Sequence, residues 1–181
     1  MGKEKKCTLY KKYTSYKKCI PYLILAGFTF FFCWWFVGRH GIFGAKVDWL
    51  SQHSVLPDYF RQQFYATGKI FPEFAPNLGG GQNIYHFAYY GLYSPLILPS
   101  YLLPFVKMSD YIMVISITGL TVSVLLFYYW LKSRKMDTGV AFIISLMFLL
   151  AGPMIGQYSG QIMFVDYMPF LCLALIGVDR Y

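Results

Sequence analysis

The stretch that decides the fold reads IPYLILAGFTFFFCWWFVG and occupies residues 20–38. It holds no charged residue, and at about 1.5 Å per helical residue it can cross a hydrocarbon core about 30 Å thick. Secretory signal peptides have a shorter apolar region and a small-residue cleavage site. Here bulky aromatic residues fill the second half of the run, and no Ala-x-Ala site follows. We therefore predict an uncleaved transmembrane helix over 20–38.

The residues before this helix are strongly basic. Seven of the sixteen Lys and Arg residues lie within the first twenty positions: Lys3, Lys5, Lys6, Lys11, Lys12, Lys17 and Lys18. Basic residues beside an apolar segment mark its cytoplasmic side, so residues 1–19 are predicted to form a cytoplasmic tail. The formal net charge of +8 then reflects topology, with binding of anionic lipid headgroups as the alternative. Membrane lipids are the expected partner, and nucleic acid is not.

The rest of the chain also has the composition of a membrane protein. Charged residues make up 13% of it, about half the fraction in a soluble domain. Residues 110–131 form a second full-length apolar run, and the basic residues Lys132, Arg134 and Lys135 after it predict a cytoplasmic loop over 132–138. The predicted order then continues with a transmembrane helix over 139–157, an outer turn over 158–166 and the start of a further span over 167–179. The predicted fold class is an all-α, polytopic transmembrane helix bundle in the cell membrane.

Residues 39–91 form a long polar and aromatic stretch, which the first helix places outside the cytoplasm. A short amphipathic helix is predicted near 57–67, with Pro57 in its first turn and Gly68 as its left-handed stop. Its apolar residues repeat every four positions on one face: Leu56, Phe60 and Phe64. Arg61 lies off that face. Such a helix is suited to lie flat on the bilayer surface.

Residues 92–107 are apolar, but they contain Pro95, Pro99 and Pro104. A spanning helix tolerates prolines only where neighbours satisfy the backbone groups that proline leaves unpaired. We predict a re-entrant or interfacial segment. A crossing here would also put the basic residues 132–135 outside, against the charge rule.

The candidate catalytic cluster is Asp48-Trp49-Leu50-Ser51-Gln52-His53, shortly after the first helix. Asp48 is the candidate general base, because a positioned carboxylate can accept the proton of an acceptor hydroxyl. Gln52 or His53 can orient the acceptor or bind a phosphate, and Trp49 offers an aromatic face to a sugar ring. The alternative is a solvated loop carboxylate beside an interfacial tryptophan anchor.

Other residues of the loop are weaker candidates for substrate binding. Arg61 and His86, together with His53, are cationic or can become so, and can stabilise a departing phosphate. Tyr89 and Tyr90 can line a sugar groove or belong to an interfacial aromatic belt. The glycines at 79–81 lack the Lys and Ser/Thr of a P-loop. The three histidines match no metal-binding spacing, so no metal site is predicted.

Several of these motifs, in this order, resemble the YfhO family of bacterial membrane proteins. They are Asp48–His53, Leu78–Asn83, Tyr89–Pro95, Met168–Leu171 and Gly177–Arg180, after a Lys-rich N-terminus and one anchor. The resemblance covers most of the chain beyond the basic tail. No single motif is decisive, but their order and spacing are specific.

The resemblance implies a fold similar to that of the GT-C glycosyltransferases. Such enzymes transfer a sugar from a polyprenyl-phosphate carrier to a cell-envelope polymer, lipid or protein, and members of the family are linked with glycosylation of lipoteichoic acid. In GT-C enzymes the first outer loop carries a catalytic acid soon after the first helix, and Asp48 has that position here. No soluble cofactor is implied. Because family members are much longer, the chain is expected to be the N-terminal portion of such an enzyme.

Two other functions fit the same pattern. A transporter or flippase for lipid-linked sugars would also have a surface helix and an aromatic groove, and a scaffold for envelope synthesis needs no chemistry at all. Transporters more often place ionisable residues inside their spans. The clear spans here contain almost none, which favours chemistry in the loop.

Overall fold

A computed structural model of the chain describes residues 2–40, 43–45 and 47–181, with side chains from residue 18 onward except that of residue 40. Its six α-helices are α1 (Gly2–His40), α2 (Val55–Thr67), α3 (Met108–Ser133), α4 (Thr138–Leu150), α5 (Gly152–Gly160) and α6 (Met168–Val178). Strands β1 (Phe74–Ala75) and β2 (Gln82–Asn83) form a small antiparallel hairpin. Shorter turns of helix occupy Trp49–His53, Ile84–Tyr90, Leu98–Leu102 and Ile162–Phe164. The predicted all-α class is confirmed.

The described residues include two helices long and apolar enough to cross a membrane, Lys18–Arg39 within α1 and Met108–Ser133. The basic tail and the anchor, predicted as separate units, form one helix of 39 residues with Pro21 inside it. Helices α4 and α5 together make a third candidate span, bent by 48°. The structure thus has the helices of a polytopic membrane protein.

The bend between α4 and α5 differs from the single helix expected over 139–157. Helix α4 ends at Leu150, and Ala151 is extended at φ −62° and ψ 130°. Pro153 lies in the first turn of α5. A proline inside a continuous helix would lack its N–H donor, and its ring would clash with the carbonyl of Leu149. Helix α5 then continues to Gly160, into the region expected to be an outer turn.

Helices α1 and α3 pack side by side and antiparallel. The ring of Tyr22, early in the span of α1, lies 4.8 Å from that of Tyr128 near the end of α3. Phe43, just beyond α1, packs in a cluster with Ile112 at the start of α3. The segment that joins the two helices therefore begins and ends at the same end of the bundle. We call residues 47–107 the interhelical lobe.

The interhelical lobe has its own apolar core, built around α2. Leu56 and Phe60 of α2 are buried there with Ile84, Leu92 and Tyr101. Since these side chains face the lobe, the apolar face of α2 is covered by protein and does not rest on a bilayer surface. Gly68 ends the helix at φ 72°, and its N–H donates to the Phe64 carbonyl at 2.8 Å.

The segment over 92–107 forms no long helix. It contains the short helix Leu98–Leu102 between turns, and it connects the rest of the lobe to the first residue of α3. Leu92, Ile97 and Tyr101 are buried, while Leu102 and Phe105 are largely exposed. Its three prolines interrupt regular hydrogen bonding, which explains the succession of turns.

Candidate active site

Asp48 stands at the start of a π-helical turn over Trp49–His53. The Ser54 N–H donates to the Trp49 carbonyl at 3.0 Å, which is the five-residue spacing of a π-helix. In so wide a turn, residues four and five positions apart are neighbours. Asp48 therefore lies on the same side of this turn as Gln52 and His53.

Asp48 is half-buried and contacts a distant part of the chain. The side-chain amide of Gln161, in the linker between α5 and α6, donates to the Asp48 carboxylate at 3.5 Å. This contact joins the interhelical lobe to the second half of the helix bundle. Asp48 as a whole residue is neither fully buried nor fully exposed.

Gln52 and Tyr90 are brought together beside Asp48. The Tyr90 hydroxyl donates to the Gln52 side-chain carbonyl. Burial, followed by a hydrogen bond with Tyr89 and the charge of Asp48, raises the pKa of Tyr90 to about 12. Tyr90 is therefore a neutral phenol at physiological pH and can act only as a hydrogen-bonding group.

His53 is 5% exposed, and its ring centroid lies 5.9 Å from that of Tyr90. Burial lowers the pKa of His53 below its usual value, although the nearby Asp48 charge opposes this shift. The imidazole is thus neutral at pH 7. It differs from the cation expected to stabilise a phosphate, because desolvation disfavours the charged form. Its Nδ1 is buried without a hydrogen-bond partner among the described residues.

Trp49 is 4% exposed and lies in a core cluster. The ring of Phe43 meets it edge-on at 5.4 Å, and Met108 and Ile112 of α3 pack in the same cluster. The indole therefore fixes the π-helical turn against the bundle. It does not present the open face that was expected for a sugar ring.

Arg61 is also occupied by structural contacts. Its guanidinium donates to the carbonyls of Leu103 and Val106 at 3.1 and 2.9 Å, and to Asp58 at 2.5 Å. It is 6% exposed, although the helical pattern put it off the buried face. Its cationic group is therefore already neutralised by protein, and it is not free to bind a phosphate.

The remaining candidates lie at the edge of the lobe. His86 is exposed, and its Nδ1 lies 3.5 Å from the Gln82 side-chain oxygen, next to the hairpin. Tyr89 is exposed, and its ring lies 3.9 Å from that of Tyr90. Tyr89 thus packs beside Tyr90, which is a neighbour of Asp48, whereas His86 contacts Gln82 of the hairpin.

Sequence reasoning missed Asp166, between α5 and α6. The Ser94 hydroxyl donates to its carboxylate at 3.1 Å. Burial raises the pKa of Asp166, although the hydrogen bond from Ser94 opposes this shift. Asp166, Ser94, His53 and Tyr90 line one small cavity. The feature of the sequence that could have identified Asp166 is a single acid within a very apolar stretch. Ionisable residues in such stretches are costly and often functional.

The geometry thus gathers Asp48, Gln52, His53, Tyr90 and Asp166 where the lobe meets the helices. Within the part of the chain that the structure describes, no three His, Cys, Asp or Glu side chains are arranged to hold a metal ion. A family model described as bacterial membrane protein YfhO matches residues 18–181. This chain belongs to the YfhO family. Neither the curated proteins nor the solved structures contain a match to this YfhO-family chain.

Proposed function

We propose that this YfhO-family protein is a membrane glycosyltransferase that moves a sugar from a polyprenyl-phosphate carrier to a cell-envelope acceptor such as lipoteichoic acid. The observation that carries the proposal is the position of Asp48. It is a half-buried acid beyond the first membrane helix, contacted by Gln161 at 3.5 Å in a polar group at the end of the bundle. A lipid-linked donor and a polymer acceptor can meet at such a boundary.

In the proposed reaction Asp48 acts as the general base. The acceptor hydroxyl oxygen forms a bond to the anomeric carbon as its proton passes to the Asp48 carboxylate. The bond between that carbon and the phosphate oxygen breaks, and polyprenyl phosphate leaves with the electron pair. Asp48 later releases the proton to solvent.

The neighbouring groups support this role by hydrogen bonding. Gln161 orients the carboxylate, and the phenol of Tyr90 holds Gln52 beside it. His53 is a neutral imidazole and can donate or accept a hydrogen bond. The proposed orientation places the N-terminus in the cytoplasm and the interhelical lobe outside, because basic residues flank the opposite end of the helices.

Asp48→Asn is the direct test, because it keeps the shape and removes the basic group. Positioned proton transfer contributes about 10²–10⁴-fold to a rate, so we expect a loss of this size in glycosylation of the envelope polymer. The assay uses a deletion strain complemented by the native gene carrying each variant, with protein levels measured in the membrane fraction.

Glu73→Gln is the matched control in the same lobe. The Glu73 side chain is exposed, and its one ion pair among the described residues is with Lys69 at 3.4 Å, so this variant should retain glycosylation. Full complementation by Asp48→Asn at normal protein levels would eliminate the general-base role. The transporter function would then become the better explanation.

A further inference from the structure

A small cavity lies where the lobe meets the helices, and its wall combines polar and apolar groups. Its volume is about 10 Å³. The side chains of His53 and Asp166 contribute to the wall together with Ser94. Ile97, Ile112 and Ile162, from three different elements, line its apolar part. A buried water molecule needs about 10–15 Å³ and two to four polar partners, so this cavity is suited to one water.

The polar groups in this wall differ in how many of their hydrogen-bonding positions have a partner. Ser94 is satisfied, since its hydroxyl donates to Asp166 and accepts from the Leu96 N–H at 3.3 Å. Asp166 receives the bond from Ser94 and another from the Tyr167 backbone. A carboxylate offers about four acceptor positions, so it can accept a third donor. His53 Nδ1 is the group whose bonding is incomplete within the described structure.

We infer that the cavity binds one water molecule that links His53 Nδ1 to the Asp166 carboxylate, and that Asp166 thereby fixes the tautomer of His53. Burying an unpaired ring nitrogen is costly, so a bridging donor stabilises it. One hydrogen of the water goes to Asp166. The other goes to Nδ1, so that each hydrogen of the water has an acceptor.

The consequence is a neutral imidazole with its proton on Nε2. Nδ1 must be an acceptor to receive the water hydrogen, and a neutral imidazole has one donor and one acceptor nitrogen. Asp166 is thus a positioning residue that acts through His53. The water site does not depend on the proposed reaction. A catalytic use of the Nε2–H rests on the proposed function.

The charged and titratable groups around this pair come from four elements. Asp48 and Tyr90 face His53, while Tyr158 and Tyr167 are the titratable neighbours of Asp166. The residues that α3 contributes to the cavity are Ile112 and Ile115. Asp48 is the carboxylate whose charge acts directly on His53, and Asp166 is the one that the inferred water links to it.

Nitrogen NMR of the purified chain in lipid nanodiscs tests the inference without any activity assay. Histidine is labelled with ¹⁵N, and His53→Gln assigns the signal. We expect His53 at neutral pH to show a single tautomer protonated on Nε2. A signal for Nδ1–H, or a rapid average of both tautomers, would overturn the proposal.

Asp166→Asn supplies the second measurement. Loss of the carboxylate charge should lower the measured pKa of His53 by about one, and the His86 signal should stay in place. The control is Asp110→Asn, an exposed acid in the first turn of α3, which should leave His53 unchanged. An unchanged His53 in folded Asp166→Asn would refute the link. If that variant does not fold, the wild-type tautomer alone decides.

Discussion

At the scale of single residues, the polar side chains of the lobe divide into those that hold it together and those that remain available for chemistry. Arg61 belongs to the first group. It joins α2 to the carbonyls of Leu103 and Val106, immediately before α3 begins. A buried guanidinium is retained only where several acceptors compensate its desolvation, and here two carbonyls and Asp58 do so. Asp48, with a single long contact, remains available.

Arg61→Met should therefore destabilise the protein without changing Asp48 or the side chains beside it. The change removes a charged donor from two carbonyls and from the Asp58 carboxylate, at a cost of about 2–4 kcal/mol. For a chain of this size, that lowers the midpoint of thermal unfolding by about 5–15 °C.

Gln62→Ala is the control for this prediction. Gln62 is exposed and donates to the same Asp58 carboxylate at 2.8 Å, and an exposed polar contact contributes about 1 kcal/mol or less. Melting curves in detergent compare the two variants. Equal midpoints for them would show that Arg61 does not anchor α2.

At the scale of elements, Gly91 determines how the lobe turns toward α3. It ends the short helix Ile84–Tyr90 at φ 115°. A Cβ at this position would lie 2.8 Å from Ile97 Cγ1. The close approach lets the chain reverse direction and pack Ile97 against Trp49 and the start of α3.

Gly91→Ala should consequently cost more than the same change at Gly80. Both glycines have positive φ, but a Cβ on Gly80, at φ 80°, meets no atom within 4 Å. Backbone strain alone costs about 1–2 kcal/mol, and overpacking at Gly91 adds about 1–3 kcal/mol. Thermal midpoints measure the difference. A Gly91→Ala midpoint at or above that of Gly80→Ala would contradict the proposed packing.

The same elements indicate what the sequence could predict. The end of α2 at Gly68 and the apolar length of α3 follow from local residue types and their spacing. The burial of Arg61 and Trp49 does not, because their partners lie far along the chain. The contacts of Asp48 with Gln161 and of Ser94 with Asp166 depend on how α5 and α6 return to the lobe. The bend at Ala151 was accessible in principle, since Pro153 cannot continue α4.

At the scale of the whole molecule, basic residues beside the helices are more numerous at the end of the bundle opposite the lobe. The Arg134 guanidinium donates to Asp179 at 2.7 Å, which ties the end of α3 to the end of α6. Trp130 donates to the same carboxylate. The basic start of the α1 span packs at this end too, since Tyr22 lies against Tyr128. The lobe and Asp48 lie at the other end.

This arrangement predicts that one end of the bundle faces the cytoplasm and the lobe faces outside. Ser133, at the end of α3, and Asn77, in the hairpin turn, are both exposed. After replacement of the native cysteines, Ser133→Cys should resist a membrane-impermeant thiol reagent in intact cells, and Asn77→Cys should react. Permeabilisation should make Ser133→Cys reactive, which verifies that its thiol is accessible. The reverse labelling pattern would invert the topology, and it would remove Asp48 from the outer-leaflet donor that the proposed function requires.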